Sequence, residues 1–138
     1  MTRAAFVVVA ALWASELVAH AQAAPPEARV AAEAWAGLLD QGLSAESWQQ
    51  AAAAFRDLSN PHRWAATVQH IRRVLGPLKA RAFSRAETKN VLPTGQRGEF
   101  VVLYFDSVFT HQVGTTFETV AVVREPAGHW RVVWYDAK

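Results

Sequence analysis

Glu99-Phe100-Val101-Val102-Leu103-Tyr104-Phe105-Asp106-Ser107-Val108-Phe109 is the stretch that decides the fold. Under the two-residue alternation of a strand, Phe100, Val102, Tyr104, Asp106 and Val108 share one face. Val101, Leu103, Phe105, Ser107 and Phe109 share the other. Both faces are apolar over most of the length, which predicts a central strand covered on both sides. Upstream, Leu78 to Val91 reads as a long strand, weakened by Ala80, Ala82 and Ala86, with Thr94-Gly95-Gln96-Arg97-Gly98 as the turn between. Downstream, His111-Gln112-Val113-Gly114 turns the chain and Thr115 to Arg124 returns it. Pro126-Ala127-Gly128 turns it again into a last strand, Trp130 to Tyr135. Four strands on short turns predict an antiparallel meander.

Ahead of the strands the hydrophobic period is near four. Val30, Ala34, Trp35 and Leu38 form one helical stripe, and Gly42 is placed to end that helix as a left-handed cap residue. Ser44 is expected to cap a second helix, with Trp48, Ala51, Ala52 and Phe55 on its buried side. Asn60 and Pro61 open a third, carrying Trp64, Val68, Ile71 and Leu75, and Gly76-Pro77 stops it. Three helices followed by four strands give the α+β class.

The first residues predict where the protein goes. Arg3 precedes an uncharged run from Ala4 to Ala14, followed by Ser15-Glu16 and the small residues of Ala19-His20-Ala21. A positive start, an apolar run and an A-x-A exit form a secretory signal pattern, too short for a span of roughly 20 apolar residues. The expectation is a signal peptide over 1–21, with Ala23 marking a second cleavage choice, and a single domain over 22–138. The product would be exported, periplasmic or secreted, with no membrane span once the leader is removed.

There is no cysteine, which excludes disulfides, thiolate chemistry, cysteine-bound metals and a lipobox anchor. The domain must be held by packing, for which Trp35, Trp48, Trp64, Trp130 and Trp134 supply material. The formal charge is +2. Arg72, Arg73, Lys79, Arg81, Arg85 and Lys89 make a basic segment, but Phe83 is its only aromatic, so it lacks the interleaved stacking residues of a nucleic-acid reader.

A resemblance accompanies these patterns. Ala34-Trp35-x-x-Leu38-Leu39-Asp40-x-Gly42, Ser47-Trp48, Trp64 and Leu75-Gly76 ahead of Arg81 resemble a small family of exported bacterial proteins catalogued as domain of unknown function 4019. Gly98-Glu99-Phe100-Val101-Val102, Phe105, Glu118-Thr119-Val120 and Gly128-His129-Trp130-Arg131-Val132 continue it, from about Ala32 to the end. The family tends to finish in Gly-Tyr where this chain has Trp134-Tyr135. The resemblance implies a cone similar to the nuclear-transport-factor-like (cystatin-like) group, three helices packed on a bent four-stranded antiparallel sheet. It implies no activity, and a fold of that kind hosts enzymes and binding domains alike.

Tyr104, Asp106 and Glu118 are the catalytic candidates. Tyr104 and Asp106 share a strand face, and a Glu118 facing the same way would bring two carboxylates and a phenol into one hollow. Such a group could abstract a proton beside a carbonyl. The competing account makes both acids structural, paired with Arg131, Arg124 or a backbone donor, and that account is the stronger. Tyr104, Glu118, Trp134 and Tyr135 are the residues expected at a pocket or its rim. His62, His70, His111 and His129 have no metal-ligand spacing, the serines have no nucleophile elbow, and no phosphate loop is present. No metal or cofactor is expected.

The leading expectation is therefore a non-enzymatic envelope module binding a small apolar ligand or a protein. One alternative is an isomerase- or lyase-like enzyme using a strand carboxylate as base. The other is an oligomerising module, such as a homodimer paired through its sheet.

Overall fold

A computed structural model describes residues 24–138, so the expected leader lies outside the described residues. Four helices come first: α1 (Pro26–Asp40), α2 (Ser44–Gln50), α3 (Ala53–Asp57) and α4 (Pro61–Leu75). Four strands follow: β1 (Leu78–Val91), β2 (Arg97–Phe109), β3 (Thr116–Arg124) and β4 (Trp130–Ala137). The strands form one antiparallel sheet in the order β1-β2-β3-β4, the expected meander of an α+β fold.

Local signals fix most ends. Asn60 accepts a hydrogen bond from the Arg63 backbone N–H at 2.9 Å and Pro61 occupies the first turn of α4. Gly42, at φ +71°, follows the C-cap of α1. Two helical expectations are corrected. The second helix is two helices, because Ala51 and Ala52 are extended (ψ 161° and 152°). Tertiary partners capture that backbone: Ala52 N–H donates to the Val132 carbonyl at 2.7 Å, and Ala53 N–H to the Glu125 carboxylate at 2.9 Å. Ser44 is not the cap of α2 but its first residue, and Leu43 precedes it with no side-chain cap.

The buried stripe of α1 also differs from the expected one. Ala28, Ala32, Trp35, Ala36 and Leu39 face the sheet, whereas Val30 is 65% exposed and Ala34 is exposed. Alanines let the helix approach the sheet closely, so the contact face is made of small residues that carry little hydropathy signal. Trp64, Val68 and Leu75 of α4 are buried as expected, with Ile71 half-buried.

The helices cover the inner face of the sheet. There Ala28, Ala32, Trp35, Leu39, Trp64 and Val68 pack on Val101, Leu103, Phe105, Val120, Val122 and Val132. The centre is aromatic. Trp35 and Trp64 stack at 5.8 Å between ring centroids, and Phe55 meets Trp64 edge-on at 4.9 Å. Both indole N–H groups end on Ser47, Trp35 on its carbonyl and Trp64 on its hydroxyl, each at 2.8 Å. The space between helices and sheet is thus filled by rings, with the polar tips of Trp35 and Trp64 satisfied and that of Trp48 buried without a partner.

The outer face is covered over half its length. Leu92, in the β1–β2 turn, folds back onto Phe100, Val102, Ala121 and Val133. Beyond Tyr104, however, Asp106 and Val108 are exposed. The expectation that β2 is covered on both sides holds at one end only, because the turn is too short to reach the other.

Candidate functional site

Glu118 stands opposite Phe105 in the β2–β3 register, which directs it to the inner face, and it is 1% exposed. A buried carboxylate needs a cation and hydrogen bonds, and the sequence supplies both. Arg81, opposite Ser107 in the β1–β2 register, donates to Glu118 from Nε at 2.8 Å and from Nη2 at 3.1 Å. The Ser107 hydroxyl donates at 2.5 Å and the Tyr135 hydroxyl at 2.6 Å. All four lone-pair positions of the carboxylate are thereby taken. On its far side the same guanidinium donates to both oxygens of Asp40, at 2.7 and 2.9 Å. Asp40 is the last residue of α1, where the helix dipole disfavours an acid, and Arg81 offsets this.

The electrostatics follow from that geometry. Burial alone would lower the Arg81 pKa, but its hydrogen bonds and charge attraction to Asp40 and Glu118 outweigh burial and raise it above the ordinary arginine value. Burial, then the charge of Glu118 and the hydrogen bond to it, push the Tyr135 phenol above its usual range. The void beside the cluster, lined by Leu39, Asp40, Phe109 and Tyr135 among others, measures about 10 Å³. That is the lower limit for one water. Glu118 has neither a free lone pair nor space for a substrate, so the cluster ties α1 to all four strands.

Tyr104 lies on the opposite side of the sheet. It donates its hydroxyl to Glu87, and the Arg85 guanidinium covers its ring at 3.7 Å from the centroid. Burial and the Glu87 hydrogen bond raise the Tyr104 pKa, while that same bond, then Lys89 and Arg85, lowers the pKa of Glu87. Here the outer face forms a groove of about 470 Å³. Val102, Tyr104, Thr119 and Trp134 line it, Leu92 and Pro93 stand at one end and Phe117 at the other. Phe117 is 60% exposed. Lys89, Asp136 and Lys138 also line it. The groove falls in the size range of small-molecule and peptide sites and combines aromatic surface with a few polar groups.

The sheet therefore separates the residues expected to act together. Tyr104, Asp106 and Trp134 belong to the outer face; Glu118 and Tyr135 belong to the inner face and bond to each other. The convergence of Tyr104, Asp106 and Glu118 does not occur, because in β3 Thr119, not Glu118, pairs with Tyr104. Glu118 is paired as the structural account required, but with Arg81 rather than Arg124 or Arg131; Arg131 pairs with Glu125 at 3.5 Å. Arg81, Asp40 and Ser107 were missed as its partners. Asp40 and Arg81 both stood in the quoted family pattern, so the signal existed without its meaning. Phe117 was missed because nothing marks one exposed ring among several strand aromatics.

Among the described residues no cluster of three or more metal-ligating side chains occurs, and no helix is long and apolar enough to cross a membrane. Residues 31–135 match the family described as "Protein of unknown function (DUF4019)", and the chain belongs to that family. No curated protein and no solved structure matches the chain.

Proposed function

We propose that this DUF4019 protein is an exported, non-enzymatic binding module of the bacterial cell envelope whose recognition surface is the outer face of its sheet. One observation carries the reading: the inner hollow is packed with rings and its acid is saturated, while the outer face keeps an open aromatic groove. Catalysis by a strand carboxylate would need a base with a free lone pair beside a substrate-sized space. Recognition needs only the groove. Export rests on the N-terminal pattern of Arg3, the apolar run and Ala19-His20-Ala21. Helices ahead of a four-stranded meander support the nuclear-transport-factor-like cone as the fold group.

The test is site-specific photo-crosslinking in the producing cell. A photoreactive phenylalanine analogue at Phe117 should give one discrete adduct, and the same analogue at Val30, exposed on α1, should give none. Adducts at Val30 but not at Phe117 would move the recognition surface to the helices and overturn the proposal.

A further inference from the structure

The register of the sheet arranges the charges of the outer face in rows. Arg85 pairs with Tyr104, Tyr104 with Thr119 and Thr119 with Asp136, so one row crosses the sheet from a cation on β1 to a carboxylate on β4. The next row runs Ala82, Asp106, Phe117, and ends on Lys138, whose backbone exchanges two hydrogen bonds with Phe117 at 2.8 and 3.0 Å. These two rows make up the open half of the face. They hold two cations, two carboxylates and the exposed Phe117, and Val108 is exposed beside them.

We propose that this open half binds a second copy of the chain, face to face, about a twofold axis parallel to the strands and midway between β2 and β3. The inference rests on the outer-face reading above and names its partner. That axis lays β1 of one protomer over β4 of its partner and keeps each row over itself. Arg85 then faces the partner's Asp136, and the reciprocal pair forms on the other side. Asp106 falls over the partner's Phe117, one strand spacing from the partner's Lys138. Tyr104 meets the partner's Thr119.

Two aligned sheets pack about 10 Å apart at an angle near 30°. With strands about 4.8 Å apart, that angle displaces the edge rows by roughly 4 Å, within reach of arginine and lysine side chains. The alternative twofold, perpendicular to the strands and centred between the two rows, would instead set Asp136 over the partner's Lys138 and Arg85 over the partner's Ala82; it makes no Arg85–Asp136 pair, so recovery in the double variant below separates the two axes. Within one protomer Arg85 covers the Tyr104 ring and lies 3.5 Å from Glu87, and Lys138 lies 3.3 Å from Asp136. Exposed pairs of that kind are weak and can exchange partners. The other half of the face, where Lys89 and Arg131 would oppose each other, is already covered by Leu92. The contact is therefore small beside the roughly 800 Å² per partner of a standard interface, and the dimer is expected to dissociate in the micromolar range or above.

Sedimentation equilibrium of the full chain, expressed in a bacterial host and purified in the form that host accumulates, reads this directly. Wild type should show a concentration-dependent monomer–dimer equilibrium. Arg85→Glu and Asp136→Arg should each weaken it about tenfold or more, and the double variant should recover most of the loss. Circular dichroism showing an unchanged fold for all three variants makes the comparison valid, and both positions are surface positions. A monomeric wild type at every concentration, or a double variant weaker than either single one, would overturn the dimer. A monomer that still yields a Phe117 photo-adduct of foreign mass removes the second copy and leaves the binding reading. Neither dimer nor adduct removes both.

Discussion

Replacing Arg81 by methionine should be the most damaging single change that leaves every apolar core residue in place. The variant keeps the aliphatic stem but removes the cation between Asp40 and Glu118, together with four hydrogen bonds. The Arg81 side chain is 11% exposed and Glu118 1%, so solvent cannot replace what is lost. Removing one partner of a buried ion pair costs about 3–5 kcal/mol. At roughly 3–6 °C per kcal/mol for a domain of this size, Tm should fall by about 10–30 °C. Glu118→Gln is a milder change. It keeps the shape, and Arg81 retains its two-pronged bond to Asp40, so the cost should be about 1–2 kcal/mol. The double variant should be more stable than the two losses summed, by roughly 1–3 kcal/mol, because its buried acid is already neutral. Urea unfolding followed by tryptophan fluorescence measures all three, since Trp35 and Trp64 sit in the core. If Arg81→Met costs no more than Glu118→Gln, or the two effects add without coupling, the cluster is not the tie between helices and sheet described above.

Alkaline stability should report Tyr135. Its phenol is raised above the ordinary value near 10, so the stability it contributes is complete below pH 10. It is lost as pH rises further, because the unfolded chain releases the proton first. Wild type should therefore lose up to about 1.4 kcal/mol per pH unit more than Tyr135→Phe above pH 10, and parallel urea midpoints for the two proteins would refute this. Gly76→Ala should destabilise by about 2 kcal/mol or more, since φ +73° with ψ −173° is a region essentially reserved for glycine. An added Cβ would also lie 2.4 Å from Thr110 Oγ1. A thermal melt unchanged from wild type would show that the α4–β1 junction can relax.

The sheet was legible because its information is local. Period-two patterning over Glu99–Phe109, with turn residues on either side, specifies strands whose partners are their chain neighbours, so order and direction follow from short connections. The break at Ala51-Ala52 was not legible. It is made by Val132 and Glu125, far along the chain, and alanine has no propensity that would announce an extended pair. The same limit hid the face of α1 that meets the sheet. For the site, alternation correctly put Tyr104 with Asp106, but which face Glu118 takes depends on cross-strand register, and that in turn depends on where β3 begins. A shift of one residue separates an active-site triad from a structural salt bridge.

That single-residue register also decides where function can reside. With Glu118 turned inward, Arg81, Ser107, Tyr135 and Asp40 are all drawn to it, and the tryptophans fill the remaining volume. An interior stabilised in this way cannot also open to a substrate without exposing an unpaired charge, which would cost several kcal/mol. The outer face has no such obligation. Its ions are exposed and weakly paired, and its rings lie open between Leu92 and Phe117, so occupying it displaces only water and surface pairs. Any partner is therefore expected on the side of the sheet where binding leaves the stabilising network untouched.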